Sequence, residues 1–143
     1  MSTNEAASGL AFFLAQLRAG TTSPGGVCVG AADVGTPFPC TIVDFQSGID
    51  VIFANAKRAF IDALYQCKAV GPASDPDAIA ALASQIDESL GGDEGLKHVS
   101  VTGGHILSCY RQSPLMYFDK DKSDIKYMHL GGLWRVRNQQ KPI

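Results

Sequence analysis

The chain has 143 residues and a net charge of −2 at pH 7, with 45% hydrophobic and 18% charged residues. This length and composition predict a single domain over residues 1–143, and they exclude a disordered chain, a collagen-like repeat and a coiled coil. A weakly acidic chain lacks the excess positive charge with which proteins bind the phosphate backbone of nucleic acids. No apolar run reaches the roughly 18 residues that cross a bilayer, so we expect no membrane partner.

The amino-terminal third predicts a helix, a turn and a short strand. Residues 3–19 predict the helix, because four apolar side chains recur at the spacing of one helical stripe: Leu10, Phe13, Leu14 and Leu17. No Lys or Arg precedes that apolar stretch, so we expect no secretory signal and assembly in the cytoplasm. Residues 20–26 contain glycine and proline and predict a turn, and residues 27–30 predict the short strand.

The middle of the chain predicts two strands separated by an irregular segment. Residues 38–45 are rich in β-forming residues and predict a strand. Residues 46–57 carry four apolar residues in 49–53 with little polar cover, and we interpret them as a partly ordered loop. Residues 58–70 fit either a strand or a helix, but the alternation over 61–69 and the Gly71-Pro72 pair favour a strand.

The second helix is predicted over residues 75–90. Asp75 stands at its N-cap position, Pro76 is at its first helical position, and a glycine pair follows its end. After it, residues 96–102 and 104–113 flank a glycine pair and predict a hairpin. Residues 115–119 continue or bend the second strand of that hairpin.

A charged turn over 119–124 leads into the last predicted strand, residues 125–138, where Gly131-Gly132 predicts a bulge or kink. Residues 104–138 would therefore form a long hairpin. The strands after the second helix are joined by short turns, so we expect them to pair antiparallel. The predicted fold is an α+β domain whose antiparallel sheet of four to six strands has two helices packed on one face.

Few residues suggest catalysis or metal binding. The four cysteines form no C-x-x-C pair, so we expect reduced and mostly buried thiols: Cys28, Cys40, Cys67 and Cys109. His98 and His105 would lie on facing strands, but no metal-ligand motif accompanies them. We expect no enzymatic activity, no cofactor and no metal ion. A small enzyme using Cys109 or the two histidines is an alternative.

Some residues suggest a partner surface. Arg111, Arg135 and Arg137 lie on the last two strands with Tyr110 and Trp134, and arginine with aromatic residues is typical of protein interfaces. We prefer this interpretation to a nucleic-acid platform, which needs more positive charge. Two apolar segments, in 49–53 and 115–118, also call for burial against a partner. The candidate interface residues are Ile49, Val51, Ile52, Phe53, Arg111, Leu115, Met116, Tyr117, Phe118, Asp119, Lys120, Asp121, Lys122, Trp134 and Arg135.

Four motifs in the region 58–138 together carry a resemblance to a known family. They are AVGP at 69–72, L-x-x-x-I-D-x-x-L at 82–90, GGHILSCYRQSPLMY at 103–117 and YMHLGGLWRV at 127–136. In this combination the chain resembles the tail terminator, or tail-completion, proteins of long-tailed bacteriophages. The amino-terminal third matches only in its order of helix, strand and loop.

The resemblance implies an α+β subunit of a virion, located in the tail or neck and without catalytic residues. It implies a homo-oligomeric ring, a hexamer, that caps the tail tube, ends its polymerisation and joins the tail to the head. The expected partners are the tail tube protein and a head-tail connector or stopper protein, with DNA passing through the lumen without specific binding. A head-side connector or stopper subunit of the same neck is the alternative function.

Overall fold

The computed structural model describes residues 4–52, 58–101 and 103–140. These residues form two helices and six strands, in the order α1 (Glu5–Gly20), β1 (Val27–Val29), β2 (Cys40–Ile52), β3 (Arg58–Pro72), α2 (Pro76–Ser89), β4 (Leu96–Val101), β5 (Gly104–Lys120) and β6 (Lys126–Gln140). Helix α1 is capped by Asn4, whose side chain accepts hydrogen bonds from two backbone N–H groups of the first turn. No helix in the described part of the chain is long and apolar enough to cross a membrane.

The six strands form one sheet in the order β1-β2-β3-β6-β5-β4. The pairs β2-β3, β3-β6, β5-β6 and β4-β5 are antiparallel, and the short turns of the sequence predict this for β4, β5 and β6. The expectation of a wholly antiparallel sheet is wrong at β1, which pairs parallel with β2. Residues 30–39 are long enough to return the chain to the start of β1 before β2 begins, so the sheet is mixed.

Both helices pack on one face of the sheet. Alternate residues of β3 point to that face, and Tyr65 packs its ring 4.6 Å from the ring of Phe13 on α1. The Tyr65 hydroxyl also donates a hydrogen bond to the Ala6 carbonyl oxygen, 2.7 Å away. The second helix buries Ile79, Leu82 and Ile86 in the same core. The predicted layering of two helices on one sheet face is therefore present.

The opposite, helix-free face carries a second and smaller apolar cluster. Cys28, Cys40, Ile42 and Val70 are buried there, with Phe38 packed against them. Phe38 lies in the segment between β1 and β2, so that segment covers one end of the helix-free face. Neither of the two described helices covers the rest of this face.

Two long hairpins extend from the core in opposite directions. The first arm comprises residues 45–52 of β2 and 58–62 of β3, and the second arm comprises residues 112–120 of β5 and 126–130 of β6. Strands β3 and β6 run antiparallel, with Ile61 opposite Asn138 and Pro72 opposite Tyr127. The tips of the two arms therefore lie at opposite ends of the sheet.

The structure corrects the interpretation of residues 46–57 as a loop. Residues 46–52 continue β2, with a register shift between Phe45 and Ser47. Residues 45–50 are exposed on both faces of the hairpin. Their sequence therefore lacks the alternation of apolar and polar residues that marks a strand with one buried face. Phe53 and residues 54–57 lie outside the described residues.

The structure also corrects the bulge predicted at Gly131-Gly132. Strand β6 pairs with β3 without interruption there, and the register shifts in this hairpin lie in β5, between Ile106 and Ser108 and between Arg111 and Ser113. A Cβ atom on Gly131 would overlap the Cys67 carbonyl oxygen of β3. This glycine is therefore needed for the close approach of two backbones.

Candidate interface surfaces

The first arm exposes large apolar side chains near its tip. Ile49 is 68% exposed and Ile52 is 60% exposed, whereas Val51 is half-buried. Asp50 and Ile52 are two residues apart in β2, so their side chains share one face of the arm. Asp50 is exposed and forms no ion pair with any residue that the structure describes.

The second arm exposes Met116 and Phe118 on the same face as the helices. Their β6 partners in the register are Leu130 and Met128, which contact the core. Met116 is 62% exposed, and the Lys126 ammonium lies 4.6 Å from the centre of the Phe118 ring. This face of the arm is an apolar strip with a cation at its edge.

The charged tip of the second arm builds its own turn. The Asp121 carboxylate accepts hydrogen bonds from the backbone N–H groups of Ser123 and Ile125, at 2.9 and 3.0 Å. Lys120 and Asp124 form an exposed ion pair at 3.9 Å, and Lys122 is exposed. The side chain of Asp121 therefore shapes the tip, while the two lysines face solvent.

A pocket of about 360 Å³ lies on the helix-free face, at the root of the second arm. Phe38, Ile42 and Val70 form its apolar wall, and Lys68 contributes its cation. Lys68 is only 8% exposed. Its ammonium donates a hydrogen bond to the hydroxyl of Tyr117 and has no carboxylate within 4.0 Å among the described residues.

His129 lies beside Lys68 in the same pocket and stacks on the Tyr117 ring, with 4.2 Å between ring centres. Its Nε2 atom lies 3.1 Å from Asp119 Oδ1, poorly aligned for a hydrogen bond, and its Nδ1 atom has no partner in the described chain. Burial lowers the pKa of His129, and Lys68 lowers it further, against an opposing effect of Asp119. The lowered pKa favours the neutral form of the imidazole at pH 7.

The predicted patch of arginines and aromatic residues forms only in part: Tyr110, Arg135 and Arg137 share the helix-free face, whereas Arg111 and Trp134 face the helices. Trp134 is 1% exposed and belongs to the core of the subunit, so it is removed from the candidate interface. Arg111 faces the helices and lies 3.8 Å from Asp87 of α2. Arg135 lies on the helix-free face, where its Nη1 atom donates to Asp62 at 2.8 Å. Alternation along two paired strands separates residues that are close in sequence.

The remaining candidate residues divide between the two faces of the second arm. Leu115, Tyr117 and Asp119 lie on the helix-free face, opposite Gly131, His129 and Tyr127 in the register. Leu115 is half-buried, whereas Tyr117 and Asp119 are exposed in part and border the pocket. The structure thus brings the residues of the second arm together, while those of the first arm lie at the other end of the sheet.

Burial makes Cys40 and Cys109 poor nucleophiles. All four cysteines are free and buried, as predicted. Burial raises the pKa of Cys109 to about 12, and burial with Cys28 nearby raises the pKa of Cys40 to about 11. A nucleophile needs the thiolate, which these pKa values suppress at neutral pH.

The two histidines of the predicted hairpin do meet. The rings of His98 and His105 lie 5.9 Å apart. In the described chain no group of three or more metal-ligating side chains forms. The pair therefore provides two imidazoles without further ligands.

Comparison with solved structures finds a similar fold in a chain of the virion of a native gene transfer agent (GTA) particle. The TM-score is 0.63 at 17% sequence identity, over 96% of this chain and 99% of that chain. No protein-family model and no curated protein matches the sequence. The likeness at this identity establishes a shared fold.

Proposed function

We propose that this chain is a structural protein of a phage-like virion, where it forms a ring that caps the tail tube. In this role it ends tail polymerisation and joins the tail to the neck of the head, without catalytic activity. The proposal rests chiefly on the two arms, which offer different exposed apolar surfaces at opposite ends of one subunit. The fold shared with a chain of a GTA virion supports it.

The arrangement of the arms favours a ring over a two-fold dimer. A contact between the first arm of one copy and the other end of the next copy is heterologous, because two different surfaces meet. Such a contact repeats from copy to copy, and it closes into a ring when the rotation between copies allows. The resemblance of the motifs in 58–138 to tail terminator proteins favours six copies.

The charge of the chain suits a lumen that DNA crosses. At a net charge of −2 a subunit brings no excess of cations to hold phosphates. Binding of DNA by the assembled ring should therefore be weak at physiological salt. Steep salt-dependent binding would favour a nucleic-acid-binding module.

The test of this function is assembly in solution and on purified tail tubes. Light scattering should show a mass several times 15.1 kDa, and negative-stain images should show caps on one end of each tube. Ile49→Ser on the first arm should reduce both readouts. The matched control, Ala81→Ser on the exposed side of α2, should leave them unchanged.

Two results would contradict the proposal. A chain that stays monomeric and ignores tubes would exclude tail termination. Binding to the portal of the head in place of the tube would instead assign the chain to the head side, as a connector or stopper subunit.

A further inference from the structure

The cation of the pocket at the root of the second arm has no ion-pair partner among the described residues, although Asp119 and Asp121 line the same pocket. Lys68 is almost fully buried there, and the only hydrogen bond of its ammonium within the described residues goes to the neutral hydroxyl of Tyr117. The nearby carboxylates have other roles, since Asp119 lies against His129 and Asp121 shapes the turn. Burying an ammonium without a carboxylate partner costs free energy, so binding of a carboxylate in the pocket should be favourable.

The first arm carries a group that matches this pocket. Asp50 is an exposed carboxylate without an ion pair in the described chain, and Ile52 shares its face of the strand. The pocket offers the complement, a cation beside an apolar wall that includes Phe38 and Ile42. Arm and pocket lie at opposite ends of the sheet, so one subunit cannot fill its own pocket.

We propose that the pocket receives the first arm of a second copy of this chain. The Asp50 carboxylate of one copy accepts a hydrogen bond from the Lys68 ammonium of the next, and Ile52 packs against Phe38 and Ile42. The same contact repeats at every subunit boundary, because each copy has one arm and one pocket. This inference rests on the proposed ring and names the contact that builds it.

A double-mutant cycle on the subunit contact tests the pairing. Asp50→Asn and Lys68→Met should each raise the dissociation constant about thirtyfold, since each leaves one charge of a buried pair without its partner. The dissociation constant of the double variant should be no higher than that of the more affected single variant, because both substitutions remove the same contact. The inference would be overturned if the two fold-increases in the dissociation constant multiplied in the double variant. It would also be overturned if Asp50→Asn left the dissociation constant unchanged.

Two further variants test whether a loss of association is caused by misfolding of the subunit. Asp50→Lys changes only an exposed side chain, so it should leave thermal unfolding of the subunit unchanged and abolish association. Asp44→Asn is the matched control on the same strand, because the Asp44 carboxylate accepts a hydrogen bond from Gln46 within its own subunit. It should associate as the parent chain does.

A disulfide trap separates this inference from the proposed function. Ile52→Cys on one preparation and Ala31→Cys, at the exposed rim of the pocket, on another should form a mixed disulfide under mild oxidation. Lys97→Cys on exposed β4 is the control for random collision and should form none. A specific disulfide without rings or tube capping would uphold the contact and reject the proposed function.

The opposite pattern rejects the inference alone. Rings and caps that form normally with Asp50→Lys, with no specific disulfide, would leave the function in place and exclude this contact. Loss of tube capping in Lys68→Met, with Asp50→Lys unaffected, would assign the pocket to a carboxylate of the tube protein and would also overturn the proposal.

Discussion

The core and the two arms of this molecule use similar residue types in opposite ways. In the core, apolar side chains of α1, α2 and the sheet fill one layer, and Phe13, Ile86 and Val136 are fully buried. In the arms, Ile49 and Met116 are equally apolar but more than half exposed. Apolar surface that a subunit leaves exposed on two projecting hairpins is surface available to partners. Substitutions should therefore affect folding in one region and assembly in the other.

The largest expected loss of stability comes from Trp134→Ala. The indole is 1% exposed, lies opposite Tyr65 on β3, and is among the largest side chains of the core. Its removal should lower the free energy of unfolding by about 3–5 kcal/mol. Urea unfolding followed by far-UV circular dichroism measures this, and Tyr110→Ala at a partly exposed position is the control. Equal losses for both variants would show that the indole does not anchor the core.

A pair of glycines compares the core with an arm directly. A Cβ atom on Gly131 would overlap the Cys67 backbone, which has no room to move, so Gly131→Ala should cost about 1–3 kcal/mol. A Cβ atom on Gly48 of the first arm would meet no backbone, only the side-chain ends of Ile61 at 3.1 Å and Phe45 at 3.2 Å. Gly48→Ala should change stability by less than about 0.5 kcal/mol. Similar losses in thermal unfolding of the two variants would contradict this comparison.

The sequence predicted the core better than it predicted the arms. The spacing of Leu10, Phe13 and Leu17 and of the apolar residues of α2 follows from burial on one face of a helix. The alternation of side chains over 61–69 predicted the strand β3 because one face of that strand is buried. Residues 46–52 are also a strand, but a hairpin exposed on both sides imposes no period on its side chains.

The candidate site was predictable only as segments. Exposed apolar runs near Ile49 and Phe118 were visible in the sequence, since neither fits the period of a buried element. Trp134 was misassigned because only the register of β6 shows that its face is covered by the helices. The pocket was not predictable, since it joins Phe38, Lys68 and His129 from distant parts of the chain.

The pocket should make stability depend on pH through His129. The pKa of His129 is lowered in the folded protein, so below the usual value near 6.5 the unfolded chain binds the proton more readily. The free energy of unfolding should therefore fall as pH falls from about 7 towards 5, with a slope from this group of at most about 1.4 kcal/mol per pH unit.

The comparison variant for this dependence is His129→Gln, which removes the titrating group and keeps a polar side chain. Its unfolding free energy, measured by urea titration at several pH values, should fall less steeply below pH 7 than that of the parent chain. Parallel curves for the two proteins would mean that proton uptake at His129 does not differ between the folded and unfolded states.

The smallest expected effect on folding comes from the double variant Met116→Ser, Phe118→Ser on the second arm. Both side chains are exposed, so unfolding of the isolated subunit should change by less than about 0.5 kcal/mol. Assembly should change much more, because an apolar strip loses its attraction for a partner when hydroxyls replace it. Light scattering of the variant should therefore give a smaller mass than the parent at equal concentration. If unfolding shifted as much as for Trp134→Ala while the mass stayed the same, the second arm would be part of the folding core and the division between the two regions would fail.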